Sequence, residues 1–104
     1  MAERQLKIKT GVVKRLFKEK QMYEKEVVDQ EEKVEKMKVD GKDEYDIKKQ
    51  GEVLQESRSM VPDCQRRLEA ARIDLTRCVE SYDEDLKETA TYKAAQEILA
   101  TVPA

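Results

Sequence analysis

Six residues recur at a constant step of seven through the middle of this chain: Ile47, Leu54, Val61, Leu68, Leu75 and Tyr82. A companion series three residues on, Gln50, Ser57, Cys64, Ala71 and Cys78, carries smaller and more polar side chains. Side chains three and four apart share one face of a helix, whereas a strand would alternate at every second residue. Interleaved steps of seven therefore demand a long helix whose narrow stripe packs on other helices. Pro62 falls inside the series; it lacks an N–H, and its ring crowds the carbonyl four residues back. The step of seven passes through Pro62 without resetting, as a loop would make it do. One helix over about 43–80, kinked at Pro62, is the expectation, with Asp63 favoured by the positive end of the downstream segment if the break is sharp.

The first third repeats the pattern. Leu6, Val13, Lys20, Val27 and Val34 form one series, and Lys9, Leu16, Tyr23, Gln30 and Met37 the other, with Lys9, Lys20 and Gln30 as polar interruptions. Ile8, Val12 and Phe17 widen the stripe near its start. A first helix over about 5–38 follows, roughly 45–50 Å long at ~1.5 Å per residue. Val39-Asp40-Gly41-Lys42-Asp43 stops it, because Asp-Gly is a turn signal and Gly suits the position just past a helix end. Near the other terminus, Ser81-Tyr82-Asp83-Glu84 has capping-box spacing. It places a third helix over about 84–101, with a stripe through Tyr92, Ala95, Leu99 and Val102 and with Leu86 and Ile98 beside it. Val102-Pro103-Ala104 is expected to fray.

Short connections make consecutive helices antiparallel neighbours, so the expected fold is all-α. It is an up-down-up, left-handed, three-helix bundle of coiled-coil, spectrin-like type, a single domain over residues 1–104. A helical hairpin that dimerises would bury the same stripes; a monomer is expected, and a dimer stays open. Composition fits: charged residues make up 42% of the chain and aromatics 5%, too little apolar material for a compact globule. Three Gly and two Pro are too few for a disordered polyampholyte.

Charge is uneven. Residues 1–20 hold seven Lys or Arg against Glu3 and Glu19, a balance of +5, whereas residues 79–104 balance at −4. The basic end suits an acidic protein partner. Nucleic acid is disfavoured, because the acidic remainder opposes close approach to phosphates. No run of about eighteen apolar residues exists, so no membrane span is expected. The basic start lacks the apolar stretch of a secretory signal, so a cytosolic location is expected. Cys64 and Cys78, fourteen apart on one helix, would hold their Cα atoms roughly 21 Å apart. A disulfide needs less than about 7 Å, so both are read as thiols of a reducing compartment, packed as small apolar residues.

Chemistry is sparse. The chain has no histidine, which removes the commonest general base and metal ligand. The cysteines lack CxxC spacing, and Gly11, Gly41 and Gly51 stand alone rather than in a phosphate loop. Carboxylate pairs such as Glu31 and Glu35 suit a solvated helix face. No enzyme, cofactor or metal site is expected; such a bundle binds. Gly11 admits close approach by a partner, close helix packing, or a frayed first turn, and the last two are the commoner reasons for a Gly near a helix end.

Several blocks resemble the tubulin-binding cofactor A family. They are Lys7-Ile8-Lys9-Thr10-Gly11-Val12-Val13-Lys14-Arg15-Leu16, Lys18-Glu19-Lys20, Met22-Tyr23-Glu24-Lys25-Glu26, Tyr45-Asp46-Ile47-Lys48-Lys49-Gln50, Leu54-Gln55-Glu56-Ser57-Arg58, and Pro62-Asp63-Cys64-Gln65-Arg66-Arg67-Leu68-Glu69-Ala70-Ala71. They occupy about the first two thirds of the chain, in order; from Asp74 the likeness thins, and Gly51 stands where the family suggests alanine. The resemblance implies a three-helix bundle with a proline-associated kink in its middle helix. It further implies capture of quasi-native β-tubulin after the cytosolic chaperonin, on the way to the α/β heterodimer, with other tubulin-folding cofactors as indirect partners and no nucleotide. The residues expected to touch the client are Lys9, Val12, Lys14, Arg15 and Lys18 of the first helix, with Tyr45 and Lys48 of the second. Alternatively, Val12 and Phe17 pack against the third helix and the lysines are only solvated. Competing functions are a generic coiled-coil scaffold or homodimerisation module, and a nucleic-acid-binding bundle using residues 4–20.

Overall fold

The computed structural model describes residues 2–82, 84 and 87–103, and among them every regular element is helical. Helix α1 runs Ala2–Val39, α2 Glu44–Glu80 and α3 Ala90–Thr101. Every residue of the two expected seams in α1 and α2 is buried or half-buried, the interruptions Lys9, Lys20 and Gln30 included. Ile8 is the exception to the widened stripe: it is 56% exposed. It lies two residues past Leu6, beyond the reach of the seam on a helix of ~100° per residue.

The turn after α1 is built by its glycine. Gly41 has φ +68°. Its N–H donates to the Lys38 carbonyl at 3.2 Å, and that of Lys42 to the Met37 carbonyl at 3.0 Å, the paired bonds of a Schellman ending. Asp43 then caps α2, its carboxylate accepting the Tyr45 N–H at 3.0 Å. Glu44 and Asp46 in the first turn of α2, and Lys36 and Lys38 in the last turn of α1, complement the two helix dipoles. Gly41→Ala forces a Cβ into the left-handed region and is expected to lower stability by about 1–2 kcal/mol in urea unfolding.

The chain divides into two compact units. The first, here the terminal unit, comprises Met1–Lys18 and Gln65–Ala104. Its core joins Leu6, Val13 and Leu16 of α1, Leu68, Leu75 and Val79 of α2, Tyr82 just beyond it, and Ala95, Ile98 and Val102 of α3 and its end. Contacts pair early α1 with late α2: Lys9 meets Asp74, and Val12 lies with Ala70 and Ala71. Tyr82 stacks on Tyr92 at 5.7 Å between ring centres and 17° between planes. Thr10, buried in α1, donates its hydroxyl to the Leu6 carbonyl at 2.7 Å.

The second, the hairpin unit, is Glu19–Cys64 and holds two helical segments joined by the Asp40–Asp43 turn. Its buried residues are few: Val34, Leu54, Ser57 and Cys64. Gln30 and Gln50 sit in the seam with side-chain oxygens buried and without a hydrogen bond. Arg58 and Glu31 form a 3.1 Å ion pair between the two segments. Helix α2 passes through Pro62 unbroken.

The third helix starts later than its sequence suggests. Thr89, at φ −72° and ψ 152°, caps α3 by accepting the Tyr92 N–H. Ser81 is instead the close of α2: its N–H bonds the Arg77 carbonyl at 3.1 Å and its hydroxyl the Cys78 carbonyl at 3.2 Å. A hydroxyl turned back onto its own helix cannot cap a new one. Asp83 of the expected capping box, Leu86 of the expected stripe and Ala104 lie outside the described residues. Val102 does not fray: it is 4% exposed, and its N–H bonds the Ile98 carbonyl at 3.0 Å.

Candidate partner-binding surface

The cations of early α1 divide into those the chain uses and those it leaves to solvent. Lys9 Nζ lies 2.6 Å from Asp74 Oδ2, so this seam lysine is held by its own chain. Lys20 reaches Glu24 at 3.5 Å. Elsewhere, hydrogen bonding from Arg72 holds the Glu69 carboxyl below its ordinary range, and the bond to Glu84 raises the Lys87 ammonium above its own. Arg4, Lys7, Lys14, Arg15 and Lys18 are all exposed and make no ion pair among the described residues. Arg4, Lys7, Lys14 and Lys18, with Gly11 between them, follow steps of three and four and so share one helix face.

Beside that face lies a groove of about 370 Å³. Lys7, Thr10, Gly11 and Lys14 of α1 form one side; Ala90, Thr91 and Ala94 of α3 form the other. Thr91 also donates its hydroxyl to Glu3 Oε1 of α1 at 3.1 Å. A Cβ added at Gly11 would meet nothing within 4 Å. Gly11 also lies inside continuous helix, so neither close internal packing nor a frayed turn accounts for it.

Of the residues expected to meet a client, Lys14, Arg15 and Lys18 stand exposed together on the terminal unit. Val12 and Phe17 are half-buried against the core of the terminal unit, to which all three helices contribute, and Val12 lies beside Ala70 and Ala71 of α2. Tyr45 and Lys48 belong to the hairpin unit; Tyr45 is 64% exposed, with Lys49 Nζ 5.6 Å from its ring centre. Sequence reasoning passed over two hollows on the hairpin unit. Val27, Val28, Val61 and Pro62 line one between Glu24 and Arg58, while Tyr23, Val53 and Met60 line the other with Glu26, Glu56 and Ser57. The sequence signal for them is that Val28, Val53 and Met60 are apolar at positions outside the seams.

Among the described residues no cluster of three metal-ligating side chains occurs, and no helix is long and apolar enough to cross a membrane. The family model described as Tubulin binding cofactor A matches residues 1–99. This chain belongs to the tubulin binding cofactor A family. The match runs well past Asp74, so the family likeness extends into α3, as far as Leu99. The tubulin-specific chaperone A of Homo sapiens is 63% identical over 99 residues, covering 95% of this chain and 91% of the relative. The solved structure of human tubulin chaperone cofactor A superposes with a TM-score of 0.82 at 58% identity, covering 97% of each chain. The crystal structure of tubulin folding cofactor A from Arabidopsis thaliana gives 0.87 at 44% identity, over 96% of this chain and 94% of that one.

Proposed function

We propose that this chain is a non-enzymatic tubulin-folding cofactor that captures quasi-native β-tubulin downstream of the cytosolic chaperonin and feeds it to α/β heterodimer assembly. The observation that carries this is the family match over residues 1–99, with relatives named tubulin-specific chaperone A. Client contact falls on the exposed cations Lys14, Arg15 and Lys18 of α1, with Val12 beside them and Tyr45 and Lys48 of α2. Lys9 contributes less, because it would first have to leave Asp74. The protein works in the cytosol as a single-domain monomer, without nucleic acid or membrane, and meets the other folding cofactors through its client. Its three helices form an up-down-up left-handed bundle with α2 bent at Pro62. The opposed order of the Lys9–Asp74 and Val12–Ala70 neighbours supports antiparallel α1 and α2, and the missing Pro62 N–H supports the bend.

A native gel tests the reading, with β-tubulin released from the chaperonin as probe and α-tubulin in parallel. A discrete complex with β-tubulin alone is expected. The pair Lys14→Glu with Arg15→Glu is expected to weaken it at least tenfold and to flatten its salt dependence. A complex unchanged by that pair would remove the electrostatic contact, and no complex with the unmodified chain would leave a bundle serving as a scaffold.

A further inference from the structure

The geometry points to the groove between α1 and α3 as a seat for an acidic amphipathic helix, with Lys7 and Lys14 gripping carboxylates spaced two turns apart. Three observations converge. Both lysines flank the groove, stand exposed, and make no ion pair among the described residues. Seven residues of helix set them about 10.5 Å apart along the axis, the spacing of two carboxylates at i and i+7 on a helix laid alongside. Between them the lining is small: Gly11 faces open space beside Thr10, and Ala90, Thr91 and Ala94 lie opposite.

Gly11 is the sharpest of these. A glycine inside a helix costs about 1 kcal/mol relative to alanine. Here that cost gains no closer contact within the chain, because nothing lies within 4 Å of the missing Cβ. A partner helix can approach the α1 backbone only at such a position, and carboxylates at its flanks then reach the two ammonium groups. Burial over the small floor supplies contact, and the charges set polarity and register. The nearby Glu3 carboxylate accepts a hydrogen bond from Thr91 through Oε1. The proposal rests on the tubulin reading in one respect: the segment that docks is carried by the client.

Two probes separate the groove from the client. The first is a side-chain-stapled, alanine-rich helix with Glu at positions seven apart, titrated into the isotope-labelled protein. Saturable shifts of the Gly11 and Ala94 amides are expected, and a peptide with Lys at the same positions should give none. Lys7→Glu with Lys14→Glu should weaken binding at least tenfold, whereas Lys33→Glu with Lys36→Glu, an equal charge change on the hairpin unit, should stay within twofold. Gly11→Leu should melt no lower than the unmodified chain and still lose the peptide. Absence of saturable shifts, equal binding by the groove-reversed protein, or equal loss in the hairpin-unit control would overturn the proposal. The second probe is β-tubulin. If the unmodified chain captures it and the groove-reversed chain does so within twofold, the groove proposal falls and the tubulin reading stands. If the peptide seats but β-tubulin is not captured at all, the tubulin reading falls and the acidic-helix seat remains.

Discussion

Replacing Leu75 by alanine is expected to lower the midpoint of thermal unfolding by roughly 10–25 °C. Leu75 has 0% exposure in the terminal unit, where α1, α2 and α3 all contribute to one core. Removing three carbons there forfeits their transfer free energy and leaves a cavity that long, stiff helices close only in part. Leu→Ala changes at such sites cost about 2–5 kcal/mol, a large share of the total for a domain of this size. The hairpin unit offers the contrast. Leu54 retains 8% exposure beside the half-buried Gln50, so Leu54→Ala should cost visibly less in the same melt. Equal losses would mean that the two units share packing more evenly than their burial shows.

Ala95→Asp is expected to undock the third helix. Ala95 is the smallest member of the core and is fully enclosed, at 0% exposure. A carboxylate there is set into an apolar core, and an uncompensated buried charge costs about 3–5 kcal/mol. The lower-cost response is release of α3, which would separate Tyr92 from Tyr82 and uncover Leu6, Val13 and Leu75. With no tryptophan in the chain, near-ultraviolet circular dichroism reads the tyrosines directly. The signal should collapse while much of the far-ultraviolet helical signal survives. Lys93→Asp places the same group two residues earlier, at an exposed position, and should change stability by no more than about 0.5 kcal/mol. A retained tyrosine signal in the Ala95 variant would show that the core admits the charge.

The seams of α1 and α2 were legible because heptad spacing is a local property of the chain. It placed even Lys9, Lys20 and Gln30 correctly on the packed face. Gly41 was legible for the same reason, since its left-handed turn depends on neighbours one helical turn away. The start of α3 was not. Ser81-Tyr82-Asp83-Glu84 has the spacing of a cap, yet the Ser81 hydroxyl turns to Cys78, while Thr89 caps without a Glu three residues on. The surface was legible only as a surplus of cations. Which of them remain free depends on partners far away in sequence: Asp74 claims Lys9 across 65 residues, and nothing local to Lys9 announces it. The floor of the groove likewise joins Gly11 to Ala90 and Ala94, residues with no pattern in common.

The Asp40–Asp43 turn has a kinetic consequence. It brings the two segments of the hairpin unit together almost without loop entropy, but the seam it closes has few buried side chains and two unsatisfied glutamine oxygens. The terminal unit has the dense core, yet its Lys9–Asp74 contact must close a span of 65 residues. Measured against a loop of a few residues, that span costs about 2–3 kcal/mol more in chain entropy. The half that closes readily is thus the weaker, and the half that holds is the slower to meet. A hairpin that forms early and reversibly shortens the remaining search, so the turn speeds folding while the terminal unit supplies the free energy that makes it last.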